Sequence, residues 1–215
     1  MAKSTAIQHI LFDLDNTLYS ASNGLEKQVS KRLLNFVSQL LNISYEESEE
    51  KHRSVIRDMG YSTTLEWLIT EKGFTDIDTY YAALYPENEA DNLPPDPQLR
   101  DFLASIPLPK AVLSNSNQKH VECFLKKLGI MGEFQHVFDI KLNNFMGKPH
   151  KEAFFKALEI MNAKPGSTLF IDDYPEFVAG FNKIGGKGLL FDEFDKFSGL
   201  SLTRIKSLYE ISKFL

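Results

Sequence analysis

The sequence predicts an α/β protein: a parallel sheet flanked by helices, with a helical segment inserted after the first strand. Three observations carry this. From Lys110 onward, short apolar runs alternate with helix-period stretches, the pattern of βα units laid side by side. Ahead of them stands one apolar run, residues 7–12, followed by a long stretch of helical spacing without a convincing strand. Between the two lies Leu93-Pro94-Pro95-Asp96-Pro97. Its three prolines cannot continue a helix, and they stiffen a connection.

The elements follow in order. Residues 7–12 read as a buried strand, apolar until polar residues end it. Leu25, Val29, Leu33, Phe36, Val37 and Leu40 recur at helical spacing and give one apolar face. Further helices are expected over 45–58, 65–71 and 76–84. The proline segment returns the chain to the sheet, and the outgoing connection falls near 17–23. Lys110–Leu113 reads as a strand, and Gln118–Leu128 as a helix stopped by Gly129. Then come a weak strand at 136–140, a helix at 150–161, a clear strand at 167–171 and a helix at 175–184. A strand at Lys187–Phe191 and a helix at 202–214 complete the expectation. The expected domains are therefore 1–17 with 94–215 as the sheet domain, and 18–93 as a helical cap.

Composition narrows the function. The chain has 215 residues, 43% hydrophobic and 25% charged, with a net charge of −5. That suits a soluble globular protein, and a mildly acidic surface offers no footprint for a nucleic acid polymer or an anionic membrane. No run approaches the roughly 20 apolar residues of a membrane span. The one cysteine, Cys123, excludes an internal disulfide and is expected as a buried inert thiol. The start of the chain lacks the apolar run of a signal peptide. A reducing cytoplasm is the expected location.

In parallel sheets, ligands bind beyond the carboxyl ends of the strands, and there the polar residues gather. The first strand runs into Asp13-Leu14-Asp15-Asn16-Thr17; such a pair of carboxylates also makes an ordinary turn. The second ends at Ser114-Asn115-Ser116, where a hydroxyl and backbone amides cradle anionic oxygens or merely cap a helix. Lys148 precedes Pro149 on the loop entering the next helix, aimed over the sheet or simply solvated. The strand at 167–171 leads into Asp172-Asp173. Adjacent carboxylates repel, and a hard divalent cation resolves the conflict. Together the four strand ends deliver what phosphoryl transfer requires: a nucleophile in line, and charge neutralisation on the transferred group. On this reading Asp13 is the nucleophile, Mg²⁺ sits between Asp13 and Asp173, and Lys148 and Ser114 face the phosphoryl oxygens.

The stretch Phe12-Asp13-Leu14-Asp15-Asn16-Thr17-Leu18 resembles the first motif of the haloacid dehalogenase-like hydrolase superfamily. Ser114, Lys148-Pro149 and Asp172-Asp173 resemble its second, third and fourth motifs, in the right order. The resemblance runs over essentially the whole chain. It implies a Rossmann-like core domain, with the helical insert as the cap. It further implies that Asp13 attacks phosphorus and that Asp15 is general acid and then base. Mg²⁺ would be bound by Asp13, the Asp15 carbonyl and Asp173, with Asp172 outside them. Ser114, Asn115 and Lys148 would bind phosphate. Phe12 to Ser20, with Gly60-Tyr61-Ser62-Thr63-Thr64-Leu65 and Arg204-Ile205-Lys206-Ser207-Leu208, looks most like the pyrimidine 5′-nucleotidase branch. That branch points to Tyr61 and His120 as substrate contacts, although His120 also suits a helix cap and most cap aromatics suit a small core.

The sequence departs from the superfamily pattern after the fourth motif, where Tyr174 and Phe177 stand in place of the usual Ser and Asn. The loop after Asp173 is therefore expected to be reshaped. The expected substrate is a small phosphorylated metabolite. A phosphomutase would keep every core residue and differ only in the cap. A dehalogenase of this superfamily would lack the counterpart of Asp15. A non-catalytic binding protein would have no need of all four motifs.

Overall fold

A computed structural model describes residues 6–91 and 93–215. Six strands form one sheet in the order β3-β2-β1-β4-β5-β6, all parallel. They are β1 (His9–Phe12), β2 (Lys110–Leu113), β3 (His136–Phe138), β4 (Thr168–Asp172), β5 (Lys187–Phe191) and β6 (Arg204–Ile205). Strand alternation sorts the side chains onto two faces. Ile10, Phe12, Val112, Leu169 and Ile171 enter one apolar cluster, with α5 (Pro97–Ser105) and α6 (Gln118–Leu128) over it. Leu11, Ala111, Leu113 and Phe170 enter the other, beneath α7 (Lys151–Ile160) and α8 (Pro175–Lys183). With both faces covered, β1 and β4 are apolar and buried almost throughout.

Between β1 and β2 lie α1 (Leu25–Leu41), α2 (Tyr45–Arg57), α3 (Thr64–Lys72) and α4 (Ile77–Leu84). They share a cluster of their own: Val55, Leu65, Trp67, Leu68, Tyr80, Tyr81 and Leu84. Ile140 joins it from the sheet side. A second tie is polar. The buried Glu66 carboxylate accepts from Ser62 N–H (2.7 Å), Ser62 Oγ (2.6 Å) and His150 Nε2 (3.1 Å), while Ser62 Oγ accepts from Gly147 N–H (3.0 Å).

The structure differs from the sequence expectation in four places. Residues 97–105 are a helix, because Pro97 occupies the first helical turn and Asp96 Oδ1 caps Leu99 N–H at 2.8 Å. The expected terminal helix is instead the edge strand β6 followed by a 3₁₀ helix, Leu208–Phe214. Arg204 is drawn to Asp192 Oδ2 (2.7 Å) and Asp195 Oδ1 (2.8 Å), and Ile205 completes the apolar edge beside Phe191. The expected strand at 136–140 stops at Phe138, and Ile140–Asn143 is a 3₁₀ turn. Cys123 is free and half-buried rather than buried. No helix among the described residues is long and apolar enough to cross a membrane.

Candidate active site

Strand order reverses at β1, which leaves it between β2 and β4, and register aligns Phe12 with both Val112 and Ile171. The carboxyl ends of the central strands thus open into one crevice, the switch point where ligands bind in such sheets. Asp13 continues the ladder, its N–H donating to Ile171 O at 2.8 Å. Carboxylate oxygens of Asp13, Asp172 and Asp173 lie within 4.8 Å of one another.

One buried lysine reaches two of these three. Lys148 is 1% exposed, and its Nζ donates to Asp13 Oδ1 at 2.5 Å and to Asp172 Oδ2 at 2.7 Å. Burial disfavours the ammonium, but the two carboxylates outweigh it and hold its pKa above the ordinary lysine range. The carboxylates remain crowded. Burial, opposed by Lys148 and reinforced by Asp172 and Asp15, pushes Asp13 up to about 8. Burial with the charges of Asp172, Asp13 and Glu26 pushes Asp173 to about 9. Asp172 is raised as well, by burial. Three hard oxygen donors with one lysine among them fit a divalent cation. Among the described residues, Asp13 Oδ2 receives a long contact, 3.4 Å, from Thr17 Oγ1.

Lys148 is fixed from behind. Asn115 Oδ1 accepts from Lys148 N–H at 2.8 Å, and Asn115 Nδ2 donates to Lys148 O at 2.9 Å. Both polar atoms of the side chain are thereby engaged in holding Lys148, and the main-chain N–H of Asn115 is the donor best placed for the anion expected there. Gly147 is required by this clamp. A Cβ there would lie 2.3 Å from Asn115 Oδ1 and 2.6 Å from Cγ, and the doubly bonded amide has nowhere to go. Gly147→Ala is expected to lower kcat at least about tenfold and stability by roughly 1–3 kcal/mol, measured by steady-state kinetics and denaturant melts. Unchanged values for both would disprove the clamp.

Asp15 is placed otherwise than expected. Tyr19 OH (2.5 Å) and His120 Nε2 (2.9 Å) bond its Oδ1, and Ser116 Oγ bonds its Oδ2 at 3.0 Å. Burial alone would raise its pKa. The charge of His120 and these hydrogen bonds outweigh burial and hold it at about 2. Asp15 is therefore held as a carboxylate by three side chains. His120 is buried against Asp15 and does not line the large cavity over the carboxylates. Burial would lower it, but Asp15 and Glu89 raise it to about 9.

Above the carboxylates lies a cavity of about 810 Å³, lined by Asp13, Asp15, Asn115, Lys148 and Asp173 on the sheet side. Val29, Ile56, Tyr61, Leu65, Tyr81 and Leu84 wall it from α1–α4, with His52, Arg53 and Arg57 among them. Tyr61 is one of the lining residues, and its hydroxyl donates to Glu71. Tyr174 and Phe177 stack at 5.0 Å between centroids and line the cavity, with Lys148 Nζ 5.2 Å from the Phe177 ring. Ser114, 1% exposed, does not line this cavity; its Oγ accepts from Ser116 N–H at 3.0 Å. Sequence reasoning missed Ser116, Tyr19 and Glu89. The first two stand beside recognised motifs, but Glu89 carries no local signal.

The parallel sheet thus gathers three aspartates and a buried lysine at its switch point. The chain belongs to the haloacid dehalogenase-like hydrolases, which it matches over residues 7–185. Among curated relatives, phosphate metabolism protein 8 of Saccharomyces cerevisiae is 27% identical over 177 residues, covering 75% of this chain. The match spans only 54% of that relative's length. Three solved structures share the fold. A haloacid dehalogenase-like protein of unknown function from Agrobacterium tumefaciens has 16% identity and a TM-score of 0.65, covering 97% of both chains. A HAD phosphatase from Thermococcus onnurineus has 20% identity and a TM-score of 0.58, and the L-2-haloacid dehalogenase from Xanthobacter autotrophicus has 14% and 0.60. Each of these covers 96% of this chain and 97% of its own.

Proposed function

We propose that the protein is a Mg²⁺-dependent phosphatase of small phosphomonoesters that works through a phosphoryl group carried on Asp13. The observation that carries this reading is the three-carboxylate cluster around Lys148 at the floor of the cavity. Dehalogenation in this superfamily needs neither a metal nor a second aspartate in the first motif, so the crowding of Asp13, Asp172 and Asp173 and the presence of Asp15 favour phosphate chemistry. Asp13, Asp173 and the Asp15 carbonyl would hold Mg²⁺, with Asp172 outside them. When bound, the ion neutralises phosphoryl oxygens.

Asp13 attacks phosphorus while Lys148 and the Asn115 N–H hold phosphoryl oxygens, and Ser114 supports that loop from below. The leaving oxygen takes a proton through Asp15 from His120 Nε2. Water then attacks the phosphoryl-aspartate and returns a proton the same way. The segment 18–93 acts as the cap, with hinges near 17–23 and 93–96, and excludes bulk water from Asp13.

The cavity wall also speaks to the substrate. Its apolar and aromatic lining suits a flat leaving group better than a sugar. Base stacking contributes roughly 1–3 kcal/mol, and Tyr61 and Tyr174 both offer faces. The preferred substrates are then nucleoside 5′-monophosphates, pyrimidine ones first. The test compares kcat/KM for uridine monophosphate, adenosine monophosphate, glucose 6-phosphate and 4-nitrophenyl phosphate with Mg²⁺. The nucleotides should lead the sugar phosphate by about tenfold or more. A preference for glucose 6-phosphate rejects the nucleotidase reading. No hydrolysis of any of the four rejects the phosphatase reading.

A further inference from the structure

We infer that Glu89 is a positioning residue: with Arg32 behind it, it fixes His120 and through His120 sets the orientation of Asp15. The chain of contacts is buried and crosses three parts of the fold. His120 comes from the first turn of α6, where Asn117 Oδ1 caps its N–H at 2.8 Å. Its Nε2 bonds Asp15 Oδ1 at 2.9 Å and its Nδ1 bonds Glu89 Oε2 at 3.1 Å. The side chains of His120 and Glu89 are 2% and 4% exposed. Glu89 belongs to the turn that leaves α4. Arg32 of α1 donates to its other oxygen, Oε1, and through Nε to Leu84 O at 2.5 Å.

Packing alone does not fix the imidazole. Tyr85 and Phe124 lie on it with ring centroids at 4.3 and 4.2 Å. Such a slot of tilted ring contacts holds the imidazole by its faces but does not select which way its nitrogens point. A second cavity, about 370 Å³, adjoins His120, Tyr85 and Glu89, so there is room to swing away from Asp15. The position of the ring within the slot is therefore set by the bonds at its two nitrogens. Asp15 is one of those partners and is the group to be held, which leaves Glu89 as the anchor. A buried carboxylate without a cation would be costly, and Arg32 supplies the cation. Tyr19 and Ser116 also hold Asp15, but neither touches the far side of His120.

The kinetic arm of the test rests on the phosphatase reading, and the spectroscopic arm does not. A positioned Asp15 matters most when the leaving group is poor, since acid assistance is worth about 10²–10⁴-fold. Glu89→Ala should lower kcat about 10–100-fold on an alkyl phosphate and less than about threefold on 4-nitrophenyl phosphate, with KM unchanged. Asp15→Asn should show the same leaving-group selectivity. Glu89→Gln keeps an acceptor for Nδ1 but loses the charge facing Arg32, and should fall between Glu89→Ala and wild type. If Glu89→Ala does not fold, Glu89→Gln and Arg32→Gln carry the same contrast. In the NMR spectrum, both ring N–H protons of His120 should be downfield and slow to exchange, and both should lose that protection in Glu89→Ala and part of it in Glu89→Gln. A loss equal for good and poor leaving groups, or an unaltered Nε2–H signal in the folded variants, overturns the inference. A wild type inert toward every phosphate ester rejects the phosphatase reading, and the NMR arm still decides the role of Glu89.

Discussion

Asp13→Asn is expected to abolish turnover by several orders of magnitude while leaving a folded protein. An amide oxygen is a poor nucleophile toward phosphorus, and knocking out a nucleophile removes most of an enzyme's chemical advantage. The fold should survive because Asn keeps the volume and still accepts from Lys148 Nζ, now at 2.5 Å from Asp13 Oδ1. The change also removes one of three crowded carboxylates. The metal-free variant should therefore melt at or slightly above the wild-type temperature. Mass spectrometry of briefly reacted wild type should find phosphate on Asp13, labile to hydroxylamine, and none on the variant. Wild-type rates in Asp13→Asn would end the covalent mechanism.

Mg²⁺ removal is expected to be equally complete for activity, and its effect on stability should depend on pH in a definite direction. In the metal-free fold Asp13 is pushed up to about 8 and Asp173 to about 9, against roughly 3.9 in an unfolded chain. The folded state thus holds more protons than the unfolded one between about pH 4 and pH 9. The stability tied to those protons is fully present below about pH 4 and is lost as pH rises through the folded values. Mg²⁺ takes the place of the protons, so its stabilisation should grow with pH. At a hundred times its dissociation constant a bound ion adds about 2.7 kcal/mol, roughly 5–10 °C in melting temperature for a chain of this size. Thermal melts with EDTA or Mg²⁺ at pH 6 and pH 8 measure this. Asp173→Ala should weaken the response more than Asp172→Ala, whose carboxylate already serves Lys148 and Tyr174 N–H. A Mg²⁺ shift that is larger at pH 6, or activity indifferent to EDTA, contradicts the metal assignment.

Much of this arrangement is legible in the sequence, for a local reason. A strand buried on both faces must be apolar and must stop where polar residues begin. The runs before Asp13, Ser114 and Asp172 therefore announce both the strands and the residues at their exits. Helix α6 is equally legible, because Asn117 and Gly129 punctuate it. What was not legible depends on distant partners. Arg204 and Ile205 lie in a stretch with helical spacing, yet Asp192, Asp195 and the open edge of β5 draw them into a strand. Pro97 was read as a breaker, while Asp96 made it a beginning. The environment of Asp15 depends on His120 and Glu89, which are 105 and 31 positions from their respective partners in that chain of bonds. No local pattern records such a pairing.

The central place of β1 has a consequence for how the chain comes together. Its nearest partners are Lys110–Leu113 on one side and Thr168–Asp172 on the other. During synthesis β1 emerges first and waits longest, an apolar ribbon with both edges open until distant segments arrive. Long-range pairings of this kind slow folding and leave unpaired edges exposed to other chains meanwhile. Asp13 meets Asp172 and Asp173 only when β4 docks against β1. The three-carboxylate cluster is thus completed late, and a chain that has stalled with β4 undocked is expected to be recognisable by its failure to respond to Mg²⁺ in a melt.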